Sequence, residues 1–250
     1  MKRDNFDPGA LGARLDDIAR SASYANAVRF SRFLDPSMIP LAKSAAKAWD
    51  VHVCLWGGYD AAERCVAAFS TDQGVTNYPV VCLKADWDAR YGSASHRDLL
   101  GAQMGLGLER DCLGDIVMGE NCAYLFVHAE SMRYVKDNLT LAGRCTLNLC
   151  EVSGVQAVPD PKGKTVRVTV SSMRLDALVS SAYKMGRSQA QALIERGLVK
   201  LNHIPTLKAD AKVPDNALIS ARGYGRMKVV GAPGETKKGR LGVELFVYGD

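Results

Sequence analysis

The chain has little of what metal sites, disulfide scaffolds and membrane spans are made from. Only 4 of its 250 residues are histidine, and His52, His96, His128 and His203 stand far apart without ligand spacing. No metal site is expected from them. The 7 cysteines are an odd number, run from Cys54 to Cys150 and form no CxxC pair. That usage argues against a disulfide framework and for free thiols in a reducing, cytoplasmic setting. No apolar run approaches the roughly 20 residues that cross a bilayer. The opening MKRDNFDPGA carries charge with no apolar stretch behind it, unlike a signal peptide, so no membrane partner is expected. A disordered composition is also missing: 47% apolar and 24% charged residues suit an ordinary folded protein with real cores.

The net charge of +5 is unevenly placed. From Ser171 onward 13 lysines and arginines stand against 7 acids, whereas residues 1–170 hold 19 against 20. A basic module on a near-neutral body suits a polyanionic partner; the alternative is a solvated basic surface that aids solubility.

Across residues 11–48, Ala, Leu and Ile recur at three- and four-residue spacing, which predicts helix. Asp35-Pro36 marks a restart, with an N-cap acid followed by proline at the first helical position. VHVCLW (51–56) reads as a buried strand, Gly57-Gly58 as a turn and YDAAERCVAAF as a helix. These form a small α/β unit over residues 1–75. From Tyr78 the order is strand YPVVCLKAD, helix HRDLLGAQMGLGLER, strand GDIVM, turn GEN, strand CAYLFVHA, helix ESMRYVKDNL and strand RCTLNLCEV. That is the β-α-β-β-α-β order of ferredoxin-like and RRM-like domains. It is assigned to residues 76–165, with VPDPKGK (158–164) as a turn-rich connector. GLGLERD (105–111) falls short of a dinucleotide fingerprint, because Arg110 stands where the third glycine belongs and no strand precedes the segment. Tyr124, Phe126 and His128 share one face of CAYLFVHA, where an RRM stacks bases. Without the RRM's basic lead-in and glycines, ordinary sheet packing is the expected role.

The last third, residues 171–250, reads as a helix–turn–helix–strand unit. Leu175, Leu178, Val179 and Ala182 make one apolar stripe, and Gly186 is expected in a left-handed helix end. Ala190, Leu193 and Ile194 stripe a second helix that Gly197 closes, and LVKLN follows as a strand. KMGRS (184–188) looks in isolation like the lysine-rich catalytic loop of class I aminoacyl-tRNA synthetases. Its place between two short helices, with no histidine-rich nucleotide motif elsewhere, argues against that. Arg187, Ser188 and Gln191 point away from the apolar stripe, Arg196 lies at its other edge, and Lys200 and Asn202 fall on the polar side of the strand. A helix N-terminus offers free N–H groups and a positive dipole end to phosphate, and arginine forks grip two phosphate oxygens each.

Arg174-Leu175-Asp176-x-Leu178-Val179, Arg187-Ser188-x-Ala190, Ile194, Gly197, Val199 and Asn202, then Val213 and Ile219-Ser220-x-Arg222-Gly223, together resemble the S4 RNA-binding domain over residues 174–230. The departures are at turns: Gly186 for a capping serine, His203 for the glycine of an Asn-Gly turn, and Asn216-Ala217 for Gly-Asp. Four further marks recur in order: Phe33-Leu34-Asp35-Pro36; Gly57-Gly58-Tyr59 with Glu63-Arg64; His96-Arg97-Asp98-x-Leu100-Gly101; and Gly105 to Arg110 followed by Leu113-Gly114-Asp115-Ile116. With a C-terminal S4 domain they resemble the YlmH-type S4-domain proteins, including the photosystem II S4 relatives, over nearly the whole chain. The resemblance implies an α+β protein: an N-terminal α/β piece, an RRM-like middle and a C-terminal S4 domain. It implies a non-enzymatic, cytoplasmic, monomeric factor that uses no cofactor. Its partner would be structured rRNA or tRNA, on the large ribosomal subunit, in the clearance of stalled peptidyl-tRNA. The expected RNA contacts are Arg174, Lys184, Arg187, Ser188, Gln191, Arg196, Lys200, Asn202 and Arg222, with Lys237, Lys238 and Arg240 as an extension. The competing reading is an RNA-modifying enzyme, such as a pseudouridine synthase, that uses S4 for delivery. Asp115 is then the best candidate for its catalytic acid, although Gly114-Asp115 also reads as turn chemistry.

Overall fold

The first element, α1 (Pro8–Ala25), opens a chain that the computed structural model describes over residues 8–152, 163–235 and 239–249. The chain divides into two units, Met1–Pro159 and Asp160–Asp250. Among the described residues no helix is long and apolar enough to cross a membrane.

In the first unit α1 leads to β1 (Arg29–Leu34), α2 (Ile39–Ala48), β2 (His52–Trp56) and β3 (Cys65–Ser70). The strands form an antiparallel sheet in the order β1-β3-β2. Asp35 caps the turn before α2 by accepting the Ser37 N–H at 3.0 Å, as its place before Pro36 predicts. Two expectations are corrected here. The helix expected over 11–48 breaks after Ala25, where Asn26 takes a positive φ of 47°, and RFSRFL is a strand. YDAAERCVAAF is not a helix either; its second half is β3, with every residue buried. A strand buried on both faces loses the polar/apolar alternation that marks strands, so an alanine-rich one resembles helix.

The chain continues as β4 (Val80–Asp86), α3 (His96–Gly105), β5 (Leu113–Met118), β6 (Cys122–His128), α4 (Ala129–Asn138), a small hairpin β7 (Leu141–Ala142) and β8 (Cys145–Thr146), and β9 (Asn148–Val152). The larger strands pair antiparallel in the order β5-β6-β4-β9, the split-βαβ arrangement. On one side of this sheet Leu83, Leu125 and Val127 pack with Leu99 of α3 and Val135 of α4. On the other, Tyr124 and Phe126 pack with Phe33 and Val66 of the three-stranded sheet. The Tyr59 ring stacks on Phe126 at 4.8 Å between centroids. The face on which an RRM would stack bases is therefore interior. Gly58 makes this closure possible: a Cβ there would stand 2.3 Å from the Phe126 ring.

The second unit comprises β10 (Gly163–Val170), α5 (Leu175–Ala182), α6 (Arg187–Glu195), β11 (Val199–Leu201), β12 (Ile204–Pro205), β13 (Leu218–Ala221), β14 (Gly225–Glu235) and β15 (Leu241–Tyr248). One antiparallel sheet orders them β10-β15-β14-β13-β11-β12. Leu175, Leu178, Val179, Ala190 and Ile194 of the helices bury one face of it against Val199, Ile219, Met227, Val229, Val243 and Leu245. Residues 158–162 of the expected connector, and Lys237 and Lys238, lie outside the described residues; Gly163 and Lys164 already belong to β10.

Among the described residues of the second unit, two turns place a residue other than glycine or asparagine at positive φ. Gly186 does not close α5 in a left-handed conformation; its φ is −62° and it is the N-cap of α6. Lys184 takes the left-handed place at φ 52°, and the Met185 N–H reaches back to Ser180 O at 3.1 Å. Between β11 and β12, Asn202 and His203 have φ of 48° and 69°, the two positive values of a type I′ turn. Asparagine tolerates this; histidine at the second position does not do so freely, at about 1–2 kcal/mol. His203→Gly relieves that strain and loses part of the gain to glycine's greater unfolded freedom. We expect a net stabilisation of about 0.5 kcal/mol, read as a raised urea midpoint of the second unit. An unchanged or lowered midpoint would refute it.

Candidate nucleic-acid interface

Asp176 organises the start of both helices in the second unit. It lies in the first turn of α5, where a carboxylate meets the positive end of the helix dipole, and its backbone N–H donates to Ala209 O at 3.0 Å. The residue is fully buried. Its carboxylate accepts from Arg174 Nε at 3.0 Å and Nη2 at 3.1 Å, from Arg187 Nε at 3.1 Å and from Gln191 Nε2 at 3.4 Å. Burial alone would raise the pKa of this carboxyl. The bonds and charges of Arg174 and Arg187 outweigh burial and hold it below the ordinary carboxylate value. Both arginines keep solvent access, with side chains 37% and 51% exposed. Arg187 spends only Nε on Asp176, which leaves its two terminal nitrogens for another anion.

Arg187 also begins α6. The N-cap is Gly186, which has no side chain to satisfy the first N–H groups of the helix, and Ser188 is exposed beside them. Lys184 is exposed in the preceding turn. The start of α6 thus gathers Arg174, Lys184, Arg187, Ser188 and Gln191 around unspent backbone donors. A turn of residues 222–225 runs alongside. The Arg222 N–H donates to Leu198 O at 2.9 Å, and Gln189 Nε2 donates to the Tyr224 hydroxyl at 3.3 Å. Tyr183 lies 5.6 Å from the Tyr224 ring and donates its hydroxyl to Gly225 O at 3.1 Å.

The remaining expected contacts lie elsewhere. Arg196 caps the far end of the nine-residue α6, on the order of 13 Å along the axis from Arg187. Asn202 is spent on the fold: its Oδ1 accepts the Leu218 N–H at 2.9 Å. Lys200 is exposed between buried Val199 and core-facing Leu201, so it projects from the sheet face opposite the helices. Four members of the helix-side group, Asp176, Tyr183, Gln189 and Tyr224, are absent from the expected RNA contacts. Asp176 has one signal, as an acid inside the Leu175–Val179 stripe. Tyr224, 40% exposed, has no pattern in the sequence that marks it.

In the first unit Asp115 is committed to the backbone. It accepts from the Tyr59 hydroxyl at 3.0 Å, the Glu63 N–H at 2.6 Å and the Arg64 N–H at 3.2 Å. Arg64 donates to Leu113 O, Phe33 O and Arg110 O, while Arg110 donates to Leu113 O and Gly114 O. Burial and the neighbouring Arg64 push the Arg110 guanidinium down to about 10. Three of the four ordered sequence marks meet at this buried knot. The other holds the start of α3, where Ser95 and Asp98 cap each other.

Comparison with known proteins agrees with this architecture. Residues 75–155 match the family model described as "Putative RNA-binding domain in YlmH", and residues 173–219 match the S4 domain. The chain is 32% identical over 216 residues to the "Ribosome-associated protein quality control protein P2" of Bacillus subtilis (strain 168), covering 84% of each chain. A solved structure, "Cell division protein ylmH from Streptococcus pneumoniae", superposes with a TM-score of 0.50 at 18% identity, over 64% of this chain and 100% of that one.

Proposed function

Because the chain belongs to the YlmH-type family of S4-domain proteins, we propose that it is a non-enzymatic RNA-binding factor of the ribosome. It grips structured rRNA or tRNA through the start of α6 and acts in the cytoplasm on the large subunit, on stalled peptidyl-tRNA. One observation carries this reading: a buried carboxylate fixes Arg174 and Arg187 beside a helix N-terminus without a side-chain cap. Fixed guanidinium forks and free N–H groups are what a phosphate needs, and such contacts give affinity and register more than sequence reading. Ser188, Gln191 and Lys184 belong to the same contact, and Arg196 and Arg222 extend it along α6. The Bacillus subtilis relative's name, with its ribosome association and quality control, supports the choice of partner.

The enzyme alternative finds little support in Asp115. Three donors occupy its carboxylate at the junction of two sheets, which suits a structural role better than a catalytic one.

The test is sedimentation of the tagged protein from lysate, beside Arg187→Glu/Arg196→Glu. We expect the wild type to travel with the large subunit and the variant to stay at the top of the gradient. A wild type that stays at the top removes the ribosome from the proposal. A variant that travels unchanged removes these arginines from the RNA interface.

A further inference from the structure

We infer that the outer face of the six-stranded sheet is a second RNA-binding surface, taking a single-stranded segment while the helix side holds another part of the RNA. The inference rests on reading the second unit as an RNA-binding module. Strand register defines the face. Lys200 pairs with Ser220 and Ser220 with Arg226. Lys228 stands opposite Phe246, and Arg167 opposite Glu244. Each alternates with a neighbour that faces the helices: Val199, Ile219, Met227, Val229, Val243 and Leu245 are all fully buried. Side chains alternate along a strand, so Lys200, Arg226, Lys228 and Arg167 share the opposite face.

All four cations are exposed, and among the described residues Glu244 is the acid that the same register places among them. Between them lie two aromatic rings. Phe246 and Tyr248 meet edge to face at 5.1 Å, and the Arg226 guanidinium sits 5.1 Å from the Tyr248 centroid. A basic band with interleaved aromatics is the usual platform for single strands, whose phosphates follow the cations while unpaired bases stack on rings or guanidinium planes. A duplex hides its base faces and could use only the charges. An acidic peptide would have no comparable use for the two half-buried rings.

The test uses the full chain and a short labelled single-stranded RNA, titrated at several salt concentrations. The variants are Arg167→Gln/Arg226→Gln/Lys228→Gln, Arg187→Glu/Arg196→Glu, and both sets combined. Thermal melts confirm that each folds. We expect the sheet variant to lose about tenfold in affinity and to flatten the salt dependence by about 2 in the log–log slope, near 0.7 for each phosphate no longer neutralised. The combined variant should show the sum of both losses. Tyr248→Leu should weaken binding with no change in that slope, since it removes stacking and no charge. A sheet variant with wild-type affinity and slope overturns this inference and leaves the helix-side site standing. If the wild type binds no RNA of any kind, both readings fall together.

Discussion

Replacing Arg64 by methionine is expected to destabilise the first unit by about 3 kcal/mol. The Arg64 side chain is 11% exposed and lies at the junction of the two sheets. It donates to Leu113 O at 2.9 Å, Phe33 O at 3.3 Å and Arg110 O at 3.1 Å. Leu113 O keeps a second donor, Arg110 Nη1 at 2.6 Å. The other two carbonyls would lose the Arg64 donor, at about 1–3 kcal/mol each if no water replaces it. Part of this is returned, because burial opposes the cation, and Asp35, Asp115 and Asp111 keep it charged. The first unit's melting temperature should fall by about 9 °C, with the second unit's transition in place. Arg64→Lys should recover little, since an ammonium lacks the fork that reaches Phe33 O on one segment and Arg110 O and Leu113 O on another. An unshifted midpoint for Arg64→Met would show that water can replace the fork.

Asp176→Asn separates two physical effects by their sign. If charge alone governed RNA affinity, removing an acid beside two arginines would tighten binding. If the acid's value is orientation, binding should weaken, and we expect a loss of about tenfold. Stability should fall by about 2 kcal/mol. That is less than the roughly 3–5 kcal/mol typical of a broken buried pair, because both arginines are substantially exposed and can rehydrate. The wild type should carry an acid limb that the variant lacks. The native carboxyl is held below its ordinary value of 3.8. Its contribution is therefore complete above about pH 4 and is lost as pH falls through the lowered native value. Urea midpoints against pH, with RNA titrations at neutral pH, decide the matter. Tighter RNA binding by the variant would reject the orienting role.

The elements legible in the sequence are those whose pattern is local. The β-α-β-β-α-β order is readable because its strands are bounded by turns, although the helix expected through Arg110 ends at Gly105 and the expected strand RCTLNLCEV is divided between β8 and β9, which belong to different sheets. The S4 helices are readable from the Leu175–Ala182 and Ala190–Ile194 stripes and from Gly197. What stays hidden depends on distant partners. β3 looks helical because both its faces are covered, by α1 and α2 on one side and the four-stranded sheet on the other. Lys184 in a left-handed conformation cannot be foreseen while Gly186 stands two residues away. Lys200 groups with Arg187 in the sequence because both are basic and close along the chain, yet the sheet lies between them. Asp176 is visible as a letter of the motif but not as the hub that Arg174, Arg187 and Gln191 share.

That hub changes where the thermodynamic cost of recognition is met. A flexible arginine that closes on a phosphate gives up rotamer freedom at that moment, at roughly 0.5–1.5 kcal/mol for each long side chain. Arg174 and Arg187 surrender much of that freedom earlier, when the chain folds around Asp176. An acid that weakens the local positive field thereby becomes a source of affinity for an anion. It acts through entropy already lost, and the encounter with RNA begins from a surface close to its bound shape.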